Sequence, residues 1–469
     1  MLYRTSYAPR SVPALQPHLG ILLLFLMSAA CGSEPEYLSI EELMDPETCE
    51  SCHPQHFEEW QGSMHAYAAD DPVFLAMNTR GQEETGGELG DFCVQCHAPM
   101  AVRTGATTDG LNLDELPQHL KGVTCYFCHN VVAVEGTHNN PLILADDGIM
   151  RGGISDPVDN EAHASAYSSL HDRNTLESSD MCGACHDIVT PSGLLIEKTF
   201  VEWKESIFAR TDIPGAQLSC SQCHMIGDRD GVVADYEGVP LRRPKDHAFP
   251  GVDVAIIDWP GKEAQLAGIE RDLFGAIRPE LCPDPSLGPL RFQYILDNVN
   301  GGHMLPSGAA LDRRMWVELI AYNAQDEVIF QSGVVAEGQP VVDLVEQGDD
   351  QLWQIRDYGF KENGEVAHMF WDIATTVSDL LPPAVTNDPS DPAFFHAVVR
   401  DYSMPDVPAR VTARVRLRSM GLDFIDDLID SGHLDPRFRS EIPTFDLTGT
   451  EVEWRLADHG QACVDRSTP

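Results

Sequence analysis

Cys49-Glu50-Ser51-Cys52-His53 sets the pattern on which the rest of the sequence is read. The same C-x-x-C-H spacing returns as CVQCH at Cys93–His97, CYFCH at Cys125–His129, CGACH at Cys182–His186 and CSQCH at Cys220–His224. A lone C-x-x-C serves zinc knuckles and dithiol redox pairs equally well. The histidine decides. It makes up 18 of 469 residues, so its appearance after all five pairs by chance is roughly one in ten million, against its being required in the attachment sequence for c-type haem. In that chemistry the two thiols add across the porphyrin vinyl groups and the adjoining imidazole becomes a ligand of the iron. The sequence therefore predicts five haem c (iron) groups. Their thioethers fall at Cys49, Cys52, Cys93, Cys96, Cys125, Cys128, Cys182, Cys185, Cys220 and Cys223, and their proximal ligands are His53, His97, His129, His186 and His224.

A second axial ligand is then needed wherever the iron is not left open, and its identity moves the potential widely. The candidates are His65 in EEWQGSMHAYA, His138 in EGTHNN, His171 and its alternative His163 upstream of the fourth motif, His247 in KDHAFPG, and His303 in NVNGGHMLPSG. His56 sits too close to His53 to reach the far side of the same iron, and His119 is a reserve. Met100, Met225 and Met304 are rival ligands that read better as packing.

The composition narrows the classes. With 31 Lys and Arg against 74 Asp and Glu, net charge −43, the chain is expected to have no nucleic-acid partner, because phosphate binding depends on cations. The acidic surface reads as solvating, or as steering a basic redox partner protein. At 43% apolar residues a folded core is expected.

Residues 1–30 carry Arg4 and Arg10, no acid, and the apolar run Leu19–Met27 before Ser28-Ala29-Ala30. That order is a signal peptide. The following Cys31 fits lipidation, hence a membrane anchor, while the small residues also fit ordinary cleavage. Either way export to the periplasm or outer membrane is expected. Ten thiols for haem and one for lipid leave Cys282 and Cys463, to pair as a disulfide or stand as separate thiols.

The stretches TCESCHPQHFEEWQGSMHA, GVTCYFCHN, SSDMCGACHDIVTPSG, EKTFVEWKES and LSCSQCHM resemble multihaem c-type cytochromes related to the tetrahaem electron acceptor of hydroxylamine oxidoreductase. The resemblance implies a distal role for His65, His138, His247 and His303, and leans to His171 for the fourth motif. It also implies electron transfer. The enzymatic alternative, reduction or oxidation of a small nitrogen or sulfur compound at one open iron, lacks the lysine-ligated C-x-x-C-K motif of pentahaem nitrite reductases. No catalytic residue is assigned.

Beyond the last motif the period changes from helical to alternating. Met315–Asn323, Val328–Val335 and Arg410–Arg418 read as strands, with further ones near Trp353–Tyr358, His368–Trp371 and Glu451–Leu456. Thr199–Ala209 and Gly421–Ser431 read as helices. The expected fold is α+β: a loop-rich, short-helical pentahaem cytochrome c domain at 47–255, then a β-sandwich-like domain at 285–460. Stretches 31–46 and 256–284 read as linkers.

Overall fold

In the computed structural model, residues 37–227, 230–284 and 290–458 are described. The signal segment, Cys31 and Cys463 lie outside them. Among the described residues no helix is long and apolar enough to cross a membrane.

From Ile40 to His224 the chain forms short helices joined by turns and three two-stranded pairings. The longest helix, Pro72–Glu84, starts where the Asp71 side chain accepts the Val73 N–H at 3.0 Å and proline occupies the first turn. It stops at Gly86 and Gly87, both at positive φ. Prolines also divide the chain after two motifs: new helices begin at Pro54 and Pro99, directly beyond His53 and Ala98. The core here is small and mixed, built from Phe74, Val94, Met100, Tyr126, Phe127 and their neighbours.

Apart from a two-stranded pairing of Asp357–Phe360 with Thr375–Ser378, the second half is a sandwich of two antiparallel sheets. Its strands are β1 (Ile277–Pro283), β2 (Arg291–Asn298), β3 (Arg314–Tyr322), β4 (Val328–Ser332), β5 (Gln354–Ile355), β6 (Val398–Ser403), β7 (Arg410–Arg418), β8 (Thr444–Asp446) and β9 (Val452–Arg455). One sheet runs β4-β3-β7-β8, with β5 on β3 and β9 on β7; the other runs β6-β2-β1. Alternation in β7 turns Val411, Ala413, Val415 and Leu417 inward. There they meet Val317 and Leu319 of β3 and Phe292, Tyr294 and Leu296 of β2. On the outer face Arg414 and Arg416 pair with Glu318 and Asp446.

Two expectations are corrected. Both stretches read as linkers hold regular structure: 31–46 the helix Ile40–Met44, and 256–284 the helix Lys262–Leu273 and strand β1. The strand read at His368–Trp371 is a single 3-10 turn, Phe370–Asp372. Its apolar residues follow tertiary demand: Met369 packs with Phe424 and Leu428, and the Trp371 indole N–H reaches Glu84 at 2.8 Å. Cys282 is buried on β1 and disulfide-bonded.

The two halves are packed together. Val73 and Ala76 share a core with Leu422, Phe424 and Ile425 of the helix Leu422–Asp430. Ion pairs cross the same junction, Arg313 to Asp253 at 2.9 Å and Lys198 to Asp357 at 3.0 Å.

Candidate haem-binding site

Four motifs lie in helical turns: Val94–His97, Cys125–His129, the end of Ser178–His186, and Cys220–His224. In such a turn residues three and four apart share a face, which gathers both cysteines and the histidine on one side. The first motif instead leaves the helix Pro46–Glu50 through a turn. Local capping explains two of these starts. Thr124 accepts the Phe127 N–H at 3.4 Å, and Ser219 with Gln222 closes a capping box.

The histidines are then aimed by backbone. Nδ1 of His53 lies 2.7 Å from the Val233 carbonyl, that of His97 2.8 Å from Ala68, that of His129 2.5 Å from Arg151, and that of His224 3.0 Å from Pro250. A carbonyl only accepts, so each Nδ1 carries the proton and Nε2 keeps its lone pair. This is the tautomer and anchoring that metal-bound histidines use.

The rings opposite them give the decisive geometry. A metal–imidazole nitrogen bond is about 2 Å, so two rings on opposite sides of one iron have centroids a little over 6 Å apart. His65 and His186 stand 6.3 Å apart, His224 and His303 6.3 Å, His53 and His163 6.4 Å, and His129 and His247 6.4 Å. His303 fixes its own Nδ1–H on the Met304 carbonyl at 2.8 Å, and His247 on Lys245 at 3.0 Å. Burial lowers His65 and His129 to about 3 and His303 to about 4, and lowers His247 well below the ordinary range. All are neutral near pH 7, the form that binds metal. The residues fit bis-imidazole haem.

The remaining candidates lie elsewhere. His171 is buried 5.5 Å from His129 and its Nε2 bonds the Cys128 carbonyl at 2.8 Å, so it caps the motif helix. His138 is exposed, its Nδ1 3.1 Å from the Thr137 hydroxyl. His56 touches Glu59 and the His247 ring, and its ring also stands 6.2 Å from His53, but it lies only three residues along the chain from that ligand. Among the described residues no imidazole stands 6.3–6.4 Å from His97; Phe74 stacks on its ring at 3.9 Å, planes 2° apart. Sequence reading missed the anchoring carbonyls, which carry no side-chain signal. It also missed Asp187, which follows His186 and accepts the Phe200 N–H at 2.9 Å, tying the fourth motif to the helix Thr199–Glu205.

Thiols of different motifs are neighbours. Cys49 meets Cys125, Cys96 meets Cys185, and Cys182 meets Cys220. Hydrogen bonds link the same helices: Asn140 joins Gln95 to Ala184, and the Cys220 N–H reaches Ser179 Oγ at 3.1 Å.

Residues 48–130 match the family model of cytochrome c554 and c-prime. That match covers the first three C-x-x-C-H motifs. The fold is similar to the crystal structure of a penta-heme cytochrome c552 from Thermochromatium tepidum, with TM-score 0.57 and 20% identity over 89% of this chain and 98% of that one. No curated protein sequence matches the chain.

Proposed function

We propose that this cytochrome is an exported electron carrier holding five haem c groups. When bound, each haem supplies one-electron chemistry at its iron. In this reading His53 and His163, His129 and His247, His186 and His65, and His224 and His303 hold four irons from both sides, while His97 holds the fifth from one. The observation that carries it is the set of four ring pairs at 6.3–6.4 Å. The thiol contacts favour electron exchange between the first and third motifs, and between the fourth motif and both the second and the fifth. The net charge of −43 favours a basic redox partner, met through electrostatic steering. The signal-like first 30 residues and Cys31 favour a lipid-anchored protein of the periplasm or outer membrane.

A second reading, a reductase or oxidase of a small nitrogen or sulfur compound, is favoured by one observation alone: the lack of an imidazole at axial separation from His97 among the described residues. Intact mass after production in a host that matures cytochromes, with electron paramagnetic resonance of the oxidised protein, tests the main reading. Five porphyrin increments and mostly low-spin signals are expected. Fewer increments, or mostly high-spin signals, would overturn it.

A further inference from the structure

The segment that carries His303 leaves the end of β2 and rests on the helix Thr199–Glu205 of the other half. A side chain is excluded at Gly301, and Gly302 packs directly against the helix and the turn that follows it. A Cβ on Gly301 would meet Asn298 Oδ1 at 2.5 Å, and one on Gly302 would sit 3.4 Å from Trp203 and 3.5 Å from Phe208. The peptide between His303 and Met304 is gripped at both ends. Its carbonyl accepts the Asn298 side-chain N–H at 2.8 Å. Its N–H donates to Glu202 Oε2 at 3.2 Å, an oxygen that also accepts the Ser307 hydroxyl at 2.9 Å. Gly308 N–H then bonds Thr199 Oγ1 at 3.1 Å.

Orientation passes along this chain of bonds to the imidazole. The Met304 carbonyl that accepts His303 Nδ1–H belongs to the very residue whose N–H Glu202 holds. Glu202 is only 5% exposed, and a buried carboxylate is costly unless its acceptor capacity is used. Here it is spent on the ligand segment rather than on an ion pair at contact distance.

We propose that Glu202 is the positioning residue that holds His303 in place as an axial ligand at the fifth motif. This rests on the reading of His303 as a haem ligand. Removing the carboxylate leaves the Met304 N–H without its acceptor and the segment held to the helix only at Thr199, which bonds Ser307 at 2.8 Å and Gly308 at 3.1 Å, so the imidazole loses the bond nearest its own anchor.

The test compares E202A, E202Q and H303A by resonance and optical spectra of the oxidised five-haem protein, with haem count and circular dichroism as controls. H303A is expected to turn one haem equivalent from low to high spin. E202A is expected to turn a large part of that same equivalent, with added imidazole restoring it. E202Q keeps an acceptor oxygen and is expected to stay low-spin. If H303A changes no haem, the ligand reading fails. If H303A acts but E202A leaves every haem low-spin, the positioning role alone falls. Equal loss in E202A and E202Q also overturns it, because hydrogen bonding would then not be what matters. Should E202A not mature, E202D serves: shortened by one methylene, it cannot reach both donors, and an unchanged spin state would count against the proposal.

Discussion

His163 faces His53 across 6.4 Å with ring planes 20° apart, while His171, eight places further on, gives its Nε2 to the Cys128 carbonyl. The two histidines thus have separable roles. His163→Ala is expected to convert one low-spin haem to high spin with little change in stability. His171→Ala is expected to leave all spin states alone and cost about 1–2 kcal/mol through the lost cap and the cavity. Resonance spectra and denaturant titrations of both variants check this; a spin change in His171→Ala would reverse the assignment.

The setting of His97 predicts selective ligand binding. Phe74 covers one face of its ring, and among the described residues no imidazole stands at axial distance. If the proposed ligation holds, carbon monoxide added to the reduced protein is expected to bind about one haem per molecule, the four with two imidazoles resisting it. A difference spectrum calibrated against total haem measures the count, and no binding would show that another group closes this site.

What could be read without coordinates divides along physical lines. The five motifs are covalent requirements and stand in the sequence unaltered. The β7 strand was equally plain, because Val411, Ala413, Val415 and Leu417 alternate against a polar outer face. The helix Lys262–Leu273 was not, since Ile269 is its one buried residue and little amphipathic signal reaches the sequence. The choice between His163 and His171 depends on which carbonyls and rings lie nearby, and neighbours distant in sequence leave no local pattern. The anchors at Val233, Ala68, Arg151 and Pro250 act through backbone atoms that every residue possesses.

Partial burial of Glu197 gives a pH dependence of known sign. Desolvation raises its carboxyl to about 7 against the ordinary 4.5. The folded protein therefore keeps a proton that the unfolded chain releases. Stability from this group is full below about pH 4.5 and falls as pH rises through 7. Glu197→Gln, which cannot ionise, is expected to flatten this loss, on the order of 1–3 kcal/mol between pH 5 and 8. Urea midpoints across that range measure it, and parallel curves for variant and parent would contradict the sign.

The junction of the halves depends on a buried ion pair. Arg314, 1% exposed, is held by Asp423 at 2.5 Å, and the Arg356 guanidinium stands 4.0 Å from the same carboxylate. Asp423 is held below the ordinary carboxylate range, burial opposing and the Arg314 charge prevailing. Asp423→Asn removes the carboxylate that contacts both guanidinium groups and leaves Asp312 as the acid still facing them; breaking a buried pair typically costs about 3–5 kcal/mol. Because Asp423 opens the helix that packs on Val73 and Ala76, the loss is expected to loosen the seat of the sandwich on the haem-bearing half. His303 reaches its partner ring across that seat. Asp423→Asn should therefore lower the denaturant midpoint and bring the fifth-motif haem to high spin at lower denaturant than the other three bis-imidazole haems, followed by spin-state absorbance during unfolding. Simultaneous conversion of all four would mean that the sandwich and the haem-bearing half come apart as one cooperative unit.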